Sequence, residues 1–200
     1  MRASRRTLGL LAGLAAAFAA SAVLAETDFP VIGGPGNDSF EDRCPPGEWL
    51  VAIRGRAGSW VDQVQIVCTS VTRTAPTGRP NSLSLSPSLS YGPARGGGGG
   101  GPTEGSCYGV IRGIWPHMTP GNRQVKYIDL WCLNPTGRVE GSTGRFNTFT
   151  NPAADVNGGA DQPQQEICPS QDAAVGLRGR YGADVNAISL ICVPFDPPTP

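Results

Sequence analysis

Val61-Asp62-Gln63-Val64-Gln65-Ile66-Val67-Cys68 has two counterparts further along the chain, Val125-Lys126-Tyr127-Ile128-Asp129-Leu130-Trp131-Cys132 and Val185-Asn186-Ala187-Ile188-Ser189-Leu190-Ile191-Cys192. Val64, Ile128 and Ile188 stand four residues before the cysteine, and Ile66, Leu130 and Leu190 stand two before it. A period of two places these apolar side chains and the sulfur on one face of a strand, with Gln65, Asp129 and Ser189 on the other. Upstream of each copy lies a shorter match: Ile53-Arg54-Gly55, Ile111-Arg112-Gly113 and Leu177-Arg178-Gly179. Each unit therefore reads as a β-hairpin.

The six cysteines permit 15 pairings. Their separations of 24, 25 and 24 residues within the repeats select Cys44 with Cys68, Cys107 with Cys132, and Cys168 with Cys192. In the middle unit Cys107 lies only four residues before Ile111, against nine before Ile53 and Leu177, and its turn is longer, with Pro116 to Asn122 inserted.

A spacing of 64 and then 60 residues between Cys68, Cys132 and Cys192 is too long for a hairpin alone. Extra strands are expected in the Gly-rich approaches: Ile32-Gly33-Gly34-Pro35-Gly36 with Phe40, Ser90-Tyr91-Gly92 before Gly96 to Gly101, and Gly141 to Phe146. The fold class that follows is all-β: a β-prism of three pseudo-repeated four-stranded Greek-key sheets, stapled by disulfides. Its units are expected at about 32–71, 90–133 and 140–193, inside one domain spanning 26–195. With 28 glycines and 19 prolines, most helical windows are broken. Thr72 to Gly105 reads as a Ser/Pro/Gly linker in which Leu83, Leu85 and Leu89 mark a strand, and the glycine run reads as a mobile loop. Val193 to Pro200 reads as a Pro-rich tail closing no structure, with 196–200 outside the domain.

Arg2, Arg5 and Arg6, an apolar run from Leu8 to Phe18 and the small residues up to Ala25 make residues 1–25 a signal peptide, and the mature chain a secreted or periplasmic one. Ser4-Arg5-Arg6-Thr7-Leu8 leaves the twin-arginine route open beside the general one. Removal of 1–25 leaves 13 basic side chains against 16 acidic ones and no second apolar span. Such a surface has no electrostatic footprint for nucleic acid, and no membrane span is expected after signal removal.

The string Ile53 to Ile66, with a Gly-Arg-x-Gly-x-x-x-Asp turn entering an apolar strand, resembles the jacalin-related lectins. The Gly33-Gly34-Pro35-Gly36 approach resembles that family's Gly-Gly opening, and Leu177 to Ile188 repeats the pattern more weakly. The resemblance implies the β-prism fold and sugar binding. The cysteines depart from the plant lectins and look more like the vitelline membrane outer layer proteins, another three-sheet prism.

The resemblance thus implies a secreted lectin-like protein that binds glycans, with a homo-oligomer compatible with it. The alternative is a non-catalytic structural or protein-interaction module of the cell surface. The primary carbohydrate-binding set is Gly33, Gly34, Gly58, Ser59, Trp60, Val61 and Asp62. Gly58 lets the backbone approach a ligand, Asp62 accepts from two hydroxyls, and Trp60 offers a ring face. The competing reading is a turn whose Asp bonds its own backbone. A second, weaker set is Gly182, Ala183, Asp184 and Asn186, in which Asn186 replaces the acid. The middle unit has Lys126 there, and no site is expected. His117 is the only histidine and is placed in a Pro-rich turn, and no cysteine is left free. Hence no enzyme activity, no metal and no cofactor is expected.

Overall fold

A computed structural model describes residues 26–74, 82–121, 123–133, 139–146, 165–169 and 171–197. The expected signal peptide, the tail end 198–200 and much of the stretch before Glu166 lie outside these residues. The described elements are all strands: β1 (Thr27–Asp28), β2 (Ile32–Gly33), β3 (Asp38–Arg43), β4 (Glu48–Ala57), β5 (Val61–Thr74), β6 (Ser82–Leu85), β7 (Ser90–Tyr91), β8 (Arg95–Gly96), β9 (Gly101–Ser106), β10 (Val110–Met118), β11 (Val125–Leu133), β12 (Val139–Phe146), β13 (Glu166–Ile167), β14 (Asp172–Tyr181) and β15 (Val185–Pro194).

The three expected hairpins are β4–β5, β10–β11 and β14–β15, each at the centre of its own sheet. Every sheet has four strand positions. The outermost position is broken into β6, β7 and β8 along β5, is the single strand β12 along β11, and is broken into β1 and β2 along β15. The opposite edges are β9 on β4, β13 on β10 and β3 on β14. The sequence units are therefore not the sheets. Each Gly-rich approach wraps the preceding hairpin, so that β1 to β3 pair with the C-terminal hairpin and close the ring.

The apolar rows point into one interior. Leu50, Ile53, Val64 and Ile66 meet Ile111, Ile114, Ile128 and Leu130, and Leu177, Ile188 and Leu190, all buried. Each such side chain contributes roughly 1.5–3 kcal/mol on burial. The three disulfides are those the spacing selects, with Cα–Cα distances of 5.6, 5.6 and 5.7 Å. Cys44 follows β3 of the third sheet and joins Cys68 in the first; Cys107 follows β9 of the first and joins Cys132 in the second; Cys168 follows β13 of the second and joins Cys192 in the third. The staples thus run around the prism from sheet to sheet.

A bulge recurs beside each core cysteine. Leu50, Ile111 and Ala174 face Cys68, Cys132 and Cys192, and the extra residues Val51, Arg112 and Val175 follow. Their carbonyls accept the amides of Cys107 (2.9 Å), Cys168 (2.8 Å) and Cys44 (2.7 Å). A bulge turns a carbonyl out of the ladder, and here the incoming strand uses it. The register corrects one match: Ile114 faces Leu130 as Ile53 faces Ile66 and Leu177 faces Leu190, so Ile114 and not Ile111 is the equivalent residue. The middle turn spans 119–124, whereas the others span 58–60 and 182–184, and these three extra residues equal the offset between Ile111 and Ile114.

Two more expectations change. His117 lies in β10 rather than in a turn, stacked on Tyr127 at 4.0 Å between centroids, with Nε2 3.2 Å from Asp129 Oδ2. Residues 193–195 do not form a loose tail, because β15 runs to Pro194 and the buried Phe195 packs edge-on against Trp49 at 4.6 Å. That contact closes a second apolar cluster with Val71, Leu83, Val110 and Leu133.

Candidate functional site

The three hairpin turns gather at one end of the prism. Gln124 Nε2 of the second donates to Asp184 Oδ2 of the third at 2.6 Å, and Asn186 Nδ2 donates to the Arg123 carbonyl at 3.0 Å. The first turn reaches the third through Gly97, where a Cβ would collide with the Ala183 carbonyl.

The first and third turns are built alike. Gly58 N donates to Trp60 O and Gly182 N to Asp184 O, both at 2.9 Å, a bond across two residues that tightens each tip. Each turn is flanked by a glycine in the left-handed region: Gly33, φ 128°, faces Ala187, and Gly96, φ 115°, faces Gln63. The next glycine then bonds the turn: Gly34 N to Asn186 O at 3.0 Å, and Gly97 N to Asp62 O at 2.9 Å. Only glycine suits either place, since a Cβ would strike the Asn186 or Asp62 carbonyl.

This geometry divides the primary residue set. Gly33 and Gly34 stand against the Gly182–Asn186 turn, whereas Gly58 to Asp62 stand against the run Gly96 to Gly101. The resemblance to the family's Gly-Gly opening puts Gly33 and Gly34 in one set with the first turn, but β2 pairs with β15 and so carries them to the third. Their counterpart at the first turn is the Gly-rich run Gly96 to Gly101, expected as a mobile loop. Instead Arg56 Nε donates to the carbonyls of Gly98 (3.1 Å) and Gly99 (2.8 Å), Arg56 Nη2 donates to that of Gly100 (2.6 Å), and Gln63 Nε2 donates to that of Gly97 (3.3 Å).

The two turns differ in how open they are. Asp62 is 8% exposed, because the glycine run lies on its carboxylate: a Cβ on Gly99 would collide with Oδ1, and one on Gly100 would lie 2.6 Å from Oδ2. That carboxylate accepts the amides of Gly58 and of Asp62 itself. Burial, followed by the charge of Asp184, raises its pKa above the ordinary value against the lowering effects of Arg56 and these amides. Ser59 and Trp60 are exposed, the latter by 39%, and Val61 is buried. At the third turn Ala183 is exposed, and Gly182, Asp184 and Asn186 are half-buried. A cleft of about 540 Å³ opens beside it, lined by Pro35, Gly121, Arg123, Gln124 and Asn186. Gly121, Arg123 and Gln124 lie outside the expected site because the middle turn carries no Gly-x-x-x-Asp signal, and Pro35 follows the two opening glycines that are in it.

Among the described residues no group of three or more His, Cys, Asp or Glu could hold a metal ion. No described helix is long and apolar enough to cross a membrane.

No protein-family model matches the chain, and no curated protein matches it in sequence. Solved structures do match in fold. Malaysian banana lectin is 18% identical over 86% of this chain and 99% of its own, with a TM-score of 0.54. The mannose-binding lectin from Champedak is 11% identical over 85% and 96%, with a TM-score of 0.52. Single-chain recombinant jacalin is 12% identical over 88% and 97%, with a TM-score of 0.51. The fold is therefore that of the jacalin-related lectins, all-β and disulfide-bonded in this chain.

Proposed function

We propose that this chain is an exported, non-catalytic lectin whose glycan seat is the cleft between the third and second turns. The observation that carries this reading is the convergence of Pro35, Asn186, Arg123 and Gln124, with Gly121, around about 540 Å³ of open space. The volume suits one or two pyranose rings. A guanidinium and an amide side by side donate to, and through Asn186 Oδ1 accept from, vicinal hydroxyls, which is how a neutral sugar is distinguished from water.

Export is proposed from residues 1–25, and three disulfides fit an oxidising compartment. A single shallow seat is weak, and a homo-oligomer would supply avidity. The fold neighbour from Champedak is a mannose-binding lectin, which makes methyl α-mannoside the first probe.

A glycan array followed by calorimetry with methyl α-mannoside tests the reading. Binding is expected to fall about tenfold or more in Asn186→Ala, which removes one or two hydrogen bonds to the sugar. A correctly folded wild-type protein that retains no glycan would overturn it and favour a structural or protein-interaction role at the cell surface.

A further inference from the structure

We infer that the first turn is a second glycan seat held shut by the chain itself, with Gly98 to Gly100 as its cover and Arg56 as the latch. The inference rests on the reading of the third turn as a glycan seat, and on the repetition of one framework at the two turns. The tip bond across two residues, the left-handed glycine and the amide-to-carbonyl bond behind it recur at Gly58, Gly96 and Gly97 as at Gly182, Gly33 and Gly34. At the first turn Asp62 stands where the third has Asn186, and the exposed indole of Trp60 stands where the third has Asp184. What the first turn lacks is space, because the glycine run occupies the ground above Asp62.

The cover is fitted at its underside and weakly held at its top. Gly99 and Gly100 come so close to the Asp62 carboxylate that no side chain is tolerated there. Gly98 to Gly100 are exposed, and a Cβ on Gly98 would meet nothing within 4 Å. No side chain of the cover packs on the prism. It is held by the Arg56 guanidinium on three successive carbonyls, all solvent-exposed bonds. Glycines regain the most conformational freedom on release. Opening would also return water to a desolvated carboxylate. A closed majority lowers the apparent affinity of the covered seat by the fraction that is open.

Arg56→Ala removes the latch and leaves the third turn untouched, since Arg56 contacts neither Asn186 nor the cleft beside it. Calorimetry with methyl α-mannoside is expected to give one site per chain in wild type and two in Arg56→Ala. Adding Asp62→Asn, which keeps an acceptor for the turn amides, should return the count to one. Amide exchange reads the latch without any sugar: the Gly97 amide should exchange about tenfold faster or more in Arg56→Ala. One site in both proteins, or a second site that survives Asp62→Asn, overturns the inference while leaving the third seat standing. No site in wild type with one Asp62-dependent site in Arg56→Ala supports the cover and sinks the third-turn reading. No site in any variant overturns both.

Discussion

The Gly97 amide donates to the Asp62 carbonyl at 2.9 Å, and the glycines that follow lie on the carboxylate of the same residue. Backbone and side chain of Asp62 are thus engaged at once. It serves as the anchor of its own turn through the amides of Gly58 and Asp62.

Asp62→Ala should therefore destabilise the protein, by about 1 kcal/mol, because it removes a charged acceptor from the turn while the Gly58 amide keeps its bond to the Trp60 carbonyl. Trp60→Ala, at an exposed tip, should change stability by no more than about 0.5 kcal/mol. Urea unfolding of the two variants checks this. Equal stability in both would show that the carboxylate bonds contribute nothing to the fold.

Gly33→Ala and Gly96→Ala should behave alike, since both residues sit at positive φ with a carbonyl where the Cβ must go. Each should cost about 1–3 kcal/mol in backbone strain. Gly47→Ala is the control: its φ is 82°, but nothing lies within 4 Å of an added Cβ, so only the conformational part of the cost applies. Thermal unfolding should rank Gly47→Ala above the other two.

Glu166 links two sheets and titrates near neutrality. From β13 at the edge of the second sheet, its Oε2 accepts Ser189 Oγ at 3.1 Å and Leu190 N at 2.9 Å in the third, across the gap between β1 and β2. Burial pushes its pKa up from 4.5 to about 7, against the lowering effects of the Leu190 amide, the Ser189 hydroxyl and the Arg178 charge. Its folded pKa is raised above the unfolded one, so the native state favours the protonated acid. Its stabilising contribution is full below about 4.5 and is lost as pH rises through about 7. Denaturant midpoints of wild type and Glu166→Gln at pH 4.5 and pH 8 should show a decline in wild type that is shallower in the variant.

Peptide mapping without reduction should return Cys44 with Cys68, Cys107 with Cys132, and Cys168 with Cys192. Each bridge closes a loop of about 25 residues and should contribute about 3 kcal/mol. The paired replacement Cys44→Ser with Cys68→Ser also frees β3, the strand that helps to close the ring on β14. Its loss should raise amide exchange along Phe40 to Arg43 before global unfolding.

Sequence alone determined the hairpins, the core rows and the disulfides, because each rests on a local periodicity of two or on spacing within one unit. Val64, Ile66 and Cys68 share a face whatever else the chain does. It did not determine which sheet owns each approach. The partner of a glycine-rich strand is chosen by edge pairing over long separations, and that pairing sent Gly33 to Ala187 rather than to the first turn. Nor did it place Arg123 and Gln124, whose turn lacks the motif and enters the cleft only because three turns meet at one end of the prism. The openness of the candidate seats was likewise tertiary. Asp62 looks like the better ligand residue in sequence, but glycines without side chains can lie flat on a carboxylate, and only the path of the run in space shows that Gly99 and Gly100 do.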